Sequence, residues 1–318
     1  MMRRFFALAG ALLLALSLGG CAGGGGAGSE DTGTMRISAV LPHNDYGYWT
    51  TVAEGVMEAG ARLPVDTKVY LPQLNYNVSQ MTELIRQQTA AQVDAIIVQG
   101  IEDETYLAAL EEARGQGIRI VFVDTDVPDF PDHLYVGTDN YQAGRRMGEQ
   151  LIQVTAGKAR VAVLSGAPGY PNLELRLDGL RDAVQDEEDI VIVRVEYDQY
   201  DALTVMEKYH LIQQEAPDVD TLVCIEGTGA QTLGQLAGGT SSFQHILGFD
   251  DSDDGLAGVQ SGLIDGLLIQ QNRLMGARCV EELSRWNETG AYSEEQIHTD
   301  VRWITAQDLD EEGNYEGR

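Results

Sequence analysis

Cysteine is scarce in this chain, with three among 318 residues, at positions 21, 224 and 279. That excludes a disulfide-stapled scaffold. Cys224 falls in a strand-like apolar run and Cys279 in a helical pattern, which predicts two buried free thiols rather than a bridge. Positive charge is short as well. Lys and Arg number 21 against 50 Asp and Glu, a net charge of −29. Nucleic-acid binding needs clustered cations to neutralise phosphates, so that class is excluded. Beyond the first twenty residues no apolar run approaches the roughly 20 residues that cross a bilayer. Catalytic signatures are missing too. The five His are scattered without metal spacing. No G-x-S-x-G, P-loop or H-E-x-x-H occurs, and Cys224 has no evident His partner. Gly227-Thr228-Gly229 lacks the third glycine of a dinucleotide fingerprint. Asp250 to Gly255 has the look of a calcium loop, but Ser261 stands where the closing bidentate Glu belongs. No enzyme activity, cofactor or metal is expected.

What is present begins with a leader. Met1-Met2-Arg3-Arg4 is a basic region, and Phe5 to Leu18 is an apolar stretch too short to span comfortably. Residues 1–20 therefore read as a signal peptide. The segment closes on Leu18-Gly19-Gly20-Cys21, which resembles the lipobox of bacterial lipoproteins. The resemblance implies cleavage before Cys21 and a diacylglyceryl thioether on its sulfur. A Gly-rich stretch up to residue 34 follows as a flexible tether.

The stretch from Ile37 to Gly60 sets the pattern for the rest. An apolar run of strand length breaks into a polar, aromatic loop, His43-Asn44-Asp45-Tyr46-Gly47-Tyr48-Trp49, and then restarts with helical spacing at Val52, Val56, Met57 and Gly60. Strand and helix go on alternating. Strands are expected at 67–71, 95–99 and 118–124, with helices over 77–92 and from Tyr106. After Gly137-Thr138-Asp139-Asn140 the alternation begins afresh, with strands at 160–164, 190–195, 221–225, 246–249, 266–270 and 301–304. Such alternation means α/β architecture, parallel sheets covered on both faces by helices. Ligands bind such sheets in the loops after the strands' carboxyl ends. Those loops carry Asn44, Asp45, Tyr48, Trp49 and Asp124 in the first unit, and Tyr170, Asn172, Arg176, Tyr200, Glu226 and Asp250 in the second. Acids, amides, one Arg and aromatics are the make-up of a polar small-molecule site. Asp250 and Asp139 also have a plainer reading, as caps of the helices that follow.

In order and spacing these features resemble the ribose-binding type of periplasmic binding protein, from Met35 to the final strand. Tyr48 and Trp49 in AVLPHNDYGYWTTVAEG occupy the positions of the family's adjacent sugar-stacking aromatics. Asp124 matches the acid closing the fourth strand, and YVGTDNYQAGRRMGE the first crossover. Arg176-Leu-Asp-Gly-Leu180 matches the family's Arg motif, Tyr200 its aromatic before the next helix, and Glu226 its strand-ending polar residue. Gly248-Phe249-Asp250 and Gln270 complete the match. Three positions depart from it. Thr125 stands for a second Arg, Glu226 for an Asn, and Gly47 for a Pro.

The resemblance implies a two-lobed fold with three crossovers, the first lobe being 35–138 plus 271–300 and the second 139–270 plus 301–318. It implies hinge closure over a neutral monosaccharide or cyclitol, held by the twelve residues Asn44, Asp45, Tyr48, Trp49, Asp124, Tyr170, Asn172, Arg176, Tyr200, Glu226, Asp250 and Gln270. The expected molecule is a monomer, tied to the outer face of the cytoplasmic membrane by its lipid alone. It would deliver its ligand to an ABC permease, or else present its closed form to a membrane histidine kinase. The lactose-repressor relatives of this fold are excluded by the export signal, the acidity and the lack of a helix-turn-helix.

Overall fold

Apolar side chains in the first strands alternate between two covered faces. In β1 (Met35–Val40), Ile37 and Ala39 join one core and Val40 another. In β3 (Ala95–Gln99) and β4 (Arg119–Val123), Ile97, Val121 and Val123 take the first side, and Ile96, Val98, Ile120 and Phe122 the second. A parallel strand buried on both faces needs such continuous apolar runs. Helices α1 (Tyr48–Arg62) and α9 (Asn272–Thr289) cover the first face. Helices α2 (Val78–Ala90) and α3 (Glu104–Gly115) cover the second. This is a computed structural model, and it describes residues 33–42, 47–74, 76–239 and 241–316. The leader, Cys21 and the tether up to residue 32 lie outside the described residues.

Two six-stranded sheets result. The first runs β11-β5-β4-β3-β1-β2 and is parallel throughout, with β2 (Val65–Tyr70), β5 (His133–Thr138) and β11 (Gln296–Thr299). The second runs β12-β10-β9-β8-β6-β7. Its strands are β6 (Ala159–Ser165), β7 (Ile190–Tyr197), β8 (Thr221–Cys224), β9 (His245–Phe249), β10 (Gly266–Gln270) and β12 (Val301–Ile304). Only the edge pairing of β10 with β12 is antiparallel. Helices α4 (Asn140–Val154) and α5 (Pro171–Val184) cover one face of it. The other is covered by α6 (Ala202–Glu215), α7 (Gly227–Gly234) and α8 (Asp253–Gln260). The chain therefore passes between sheets three times, at residues 138–140, 270–272 and 299–301. The α/β class and the three crossovers match the sequence expectation.

Two elements escaped the sequence pattern. Helix α8 is eight residues, two Asp and two Gly among them, and its only apolar anchors are Leu256 and Val259. Strand β11 (Gln-Ile-His-Thr) is a half-exposed edge strand without an apolar run. Cys224 and Cys279 are both buried and free, as their patterns require.

Candidate functional site

The carboxyl ends of β4 and β9 each close on an aspartate, and the two are placed alike. Asp124 donates its backbone N–H to Val136 O and Asp250 donates to Leu268 O, both at 3.0 Å. Both adopt left-handed backbone, φ 70° and 63°. Asp is among the few non-glycine residues that tolerate this conformation, because its short side chain bonds locally. The turn points each carboxylate into the space between the sheets.

Asp124 accepts from Tyr48 Oη at 2.5 Å, from Gln99 Nε2 at 3.0 Å and from Thr125 Oγ1 at 2.8 Å. Burial, with the charges of Asp124 and Asp250 behind it, pushes the Tyr48 phenol far up, so Tyr48 remains a donor. Asp250 accepts from Gln270 Nε2 at 2.9 Å. Burial lifts its carboxyl to about 7, against the lowering pull of Arg176 and Gln270.

Arg176 is 3% exposed and lies in the second turn of α5. Its guanidinium lies 3.9 Å over the Phe249 ring. Nε donates to Asn140 Oδ1 at 2.8 Å, Nη1 to Ile225 O at 3.0 Å and Nη2 to Gln270 Oε1 at 3.1 Å. Three of a guanidinium's five N–H donors are thereby engaged, which leaves two. Gln270 Oε1 also accepts from Thr138 Oγ1 at 2.8 Å. The amide thus joins Asp250, Arg176 and the first chain passage in one network.

Glu226 caps α7, accepting from Thr228 N at 2.8 Å and Gly229 N at 2.6 Å. No Arg pairs with it among the described residues. Its close neighbour is Asp198, which is 0% exposed. Asp198 Oδ1 accepts from Tyr200 N at 2.9 Å, and Oδ2 has no donor of its own. Burial and the Glu226 charge push the Asp198 carboxyl up to about 9. Two acids this close repel when both are ionised, which adds to burial in favouring the protonated form of Asp198. Asp198 therefore holds the proton and hydrogen-bonds to Glu226.

A cavity of about 600 Å³ between the sheets collects these groups. Of the twelve residues singled out in the sequence, Tyr48, Trp49, Asp124, Tyr170, Asn172, Arg176, Tyr200, Glu226, Asp250 and Gln270 all line it. Asn44 and Asp45 lie outside the described residues. Tyr48 and Trp49 also belong to the first core. Asn172 Oδ1 is buried without a partner beside the cavity, an acceptor left open. The plainer reading holds for Asp139, which caps α4 through Gln142 N, but not for Asp250, since Ser252 caps α8.

Sequence reasoning missed Gln99, Asn140, Asp198 and Tyr76. Gln99 carried a usable signal, a polar residue closing an apolar strand at the ligand-facing end. Tyr76 is a lone aromatic in the loop after β2 and carried none. Its hydroxyl accepts from Trp49 Nε1 at 3.1 Å.

Two α/β halves on three chain passages, with one polar cleft between them, define a two-sheet receptor architecture. A family model described as the periplasmic binding protein domain matches residues 37–286, and the chain belongs to that family. It is 27% identical to the ribose import binding protein RbsB of Bacillus subtilis over 258 residues, 80% of this chain and 81% of that protein. Among solved structures it resembles GanP, a glucose-galactose binding protein from Geobacillus stearothermophilus. The TM-score is 0.78 at 28% identity, covering 87% of this chain and 99% of that one. It also resembles a chain of the XylFII–LytSN complex, with TM-score 0.72 and 23% identity over 87% and 99% of the two chains. The fold is thus the type I periplasmic-binding-protein fold.

Proposed function

We propose that this chain is an extracytoplasmic solute receptor that closes over a neutral sugar or cyclitol and hands it to an ABC importer. The convergence of one buried Arg, several acids and five aromatics on a single cleft carries the reading. Hydroxyls of a polyol donate to Asp124, Asp250 and Glu226 and accept from the two remaining N–H groups of Arg176. Tyr48 and Trp49 cover the apolar C–H faces of the ring. Closure moves the half comprising 35–138 and 271–300 against 139–270 and 301–318. Contacts to both halves supply the differential affinity that shifts the open–closed equilibrium. The names of the relatives, receptors for ribose and for glucose or galactose, fit this class.

Charge selects among sugars. Even with Asp198 neutral and Asp250 half-titrated near pH 7, Asp124 and Glu226 outweigh Arg176. A phosphate or uronate would add repulsion in a site that closure dries out, a cost of several kcal/mol. Neutral sugars come first, amino sugars second and anionic sugars last. A thermal-shift screen over glucose, galactose, ribose, arabinose, inositol, glucosamine, glucose 6-phosphate and glucuronate tests this, followed by calorimetry on the hits. A true ligand at a hundredfold excess over Kd stabilises by about 3 kcal/mol. Tight binding of glucose 6-phosphate or glucuronate with no neutral sugar bound overturns the charge argument.

A second reading keeps the ligand and changes the partner. In it the closed receptor is read by a membrane histidine kinase; the likeness to a chain solved in complex with a second protein, the XylFII–LytSN complex, is what raises it. Pull-down of permease or kinase by the ligand-loaded, lipid-anchored receptor separates the two.

A further inference from the structure

The mouth of the cleft differs from its floor. Among the described residues, the large aromatic side chains that remain exposed are Tyr76, Tyr170 and Tyr200, at 45%, 50% and 41%. All three line the same cavity. They arrive from both halves. Tyr76 comes from the loop after β2, whereas Tyr170 caps the start of α5 and Tyr200 precedes α6. The Tyr76 and Tyr200 rings stack at 6.5 Å with 23° between planes, and Tyr170 meets Tyr200 edge-on at 5.6 Å. Leu74 and Leu203, near Tyr76 and Tyr200 in the chain, are 59% and 82% exposed.

The placement is enforced. Tyr76 and Tyr200 hold left-handed backbone at φ 46° and 56°, which a bulky side chain adopts only at a cost. Gly166 carries Tyr200 directly on its Cα, since a Cβ there would come within 2.3 Å of the ring. Trp49 Nε1 ties the Tyr76 hydroxyl to the wall of the cleft. Rings held half in water against strain, and converging from two halves, make a stacking platform.

Volume says what sits on it. Even at the roughly 30 Å³ that a water molecule occupies in the liquid, the dozen heavy atoms of a hexose fill only about 360 Å³. The cavity holds about 600 Å³. The polar groups that satisfy hydroxyls, Asp124, Arg176, Asp250 and Gln270, are all buried, whereas the three tyrosines of the same cavity are exposed. We infer that Tyr76, Tyr170 and Tyr200 form an outer subsite for a second ring, and that the ligand is a disaccharide or other glycoside whose first ring occupies the floor. This rests on the sugar-receptor reading and narrows it.

The experiment pairs each of glucose, galactose, xylose and arabinose with its 4-nitrophenyl glycosides in both anomers and with glucose- and galactose-containing disaccharides. Binding is read by calorimetry on wild-type protein, Tyr76→Ala and Tyr76→Phe, each first shown to melt cooperatively. Expected is at least tenfold tighter binding of one glycoside than of its parent sugar. Tyr76→Ala should abolish the preference for the glycoside over its parent, and Tyr76→Phe, which keeps the ring, should retain most of it. A parent sugar that binds as tightly as every glycoside overturns the outer subsite and leaves the sugar receptor standing. A glycoside gain that survives Tyr76→Ala overturns the role of these rings. If no sugar or glycoside binds at all, the sugar reading itself fails, and the subsite with it.

Discussion

Among the described residues, Arg176 is the one cation buried in the cleft, and its partners are fixed. Asn140, Ile225 O, Gln270 and the Phe249 ring hold the guanidinium before any ligand arrives. Charge-assisted bonds to ligand hydroxyls therefore cost little ordering. Arg176→Ala should weaken sugar binding by about 2–4 kcal/mol, the range for losing such contacts in a desolvated site. Arg176→Lys should recover only part, because the planar fork is lost. Calorimetry with the best sugar of the screen checks both, and an unchanged Kd in a folded Arg176→Ala protein removes this residue from the site.

Asp198 gives a prediction of a different kind. Burial, then Glu226, raises its carboxyl from 3.8 to about 9. The folded state keeps a proton between those values that the unfolded chain has lost, so stability falls as pH rises through that window. Asp250, raised to about 7, adds the same trend only over the lower part. Asp198→Asn keeps the shape, can still donate to Glu226, and no longer titrates. Its melting temperature should fall less steeply than wild type between pH 7 and 9, with the variant gaining relative stability as pH rises. Parallel melting profiles for the two proteins would contradict a protonated Asp198.

At the scale of elements, the helices that carry the site are pressed together by glycine. A Cβ on Gly144 of α4 would sit 2.0 Å from Arg176 O, and one on Gly179 of α5 would sit 2.1 Å from Tyr141 O. This close approach sets the height of α5 and so the reach of Arg176. Gly144→Ala must push α5 outward, and overpacking of this kind costs about 1–3 kcal/mol. It should lower the melting temperature and weaken sugar binding together, although residue 144 is remote from the ligand. A variant that melts and binds like wild type would show that the helices have slack.

The same scale explains which parts of the fold and site were legible. Doubly covered parallel strands must be apolar along their length, so β1, β3, β4, β6 and β8 stood out in the sequence. Edge strand β11 and the short α8 bury too little to leave a pattern. Residues that end strands, such as Asp124, Asp250 and Gln270, were legible because strand ends in such sheets face the cleft. Tyr76 was not, because a left-handed turn after a half-exposed strand decides where its ring goes.

For the whole molecule, no helix among the described residues is long and apolar enough to cross a membrane. The Leu-Gly-Gly-Cys junction motivates a separate proposal, that Cys21 carries a lipid anchor. Two acyl chains buried in a bilayer hold a protein stably, since each CH₂ contributes about 0.8 kcal/mol. Cys21→Ser should move the protein from the membrane to the soluble fraction in detergent-free buffer. A variant that still sediments with membranes would end the lipoprotein reading. The net charge of −29 makes non-specific retention on acidic lipid headgroups unfavourable, which keeps that test clean.

The sequence by itself determined the α/β class, the tandem units and the residue types at most strand ends. These follow from short-range rules, the apolar periodicity of covered strands and the polar residues that close them. Only the tertiary structure decided what those residues do to one another. Glu226 proved to be a helix cap lying beside Asp198, a residue distant in the chain whose carboxyl burial and the Glu226 charge push up. Tyr76 proved to face Tyr200 across the cleft. Both relations depend on the close packing of distant segments and on burial, which sets protonation and stacking through desolvation, and no local pattern in the chain encodes either.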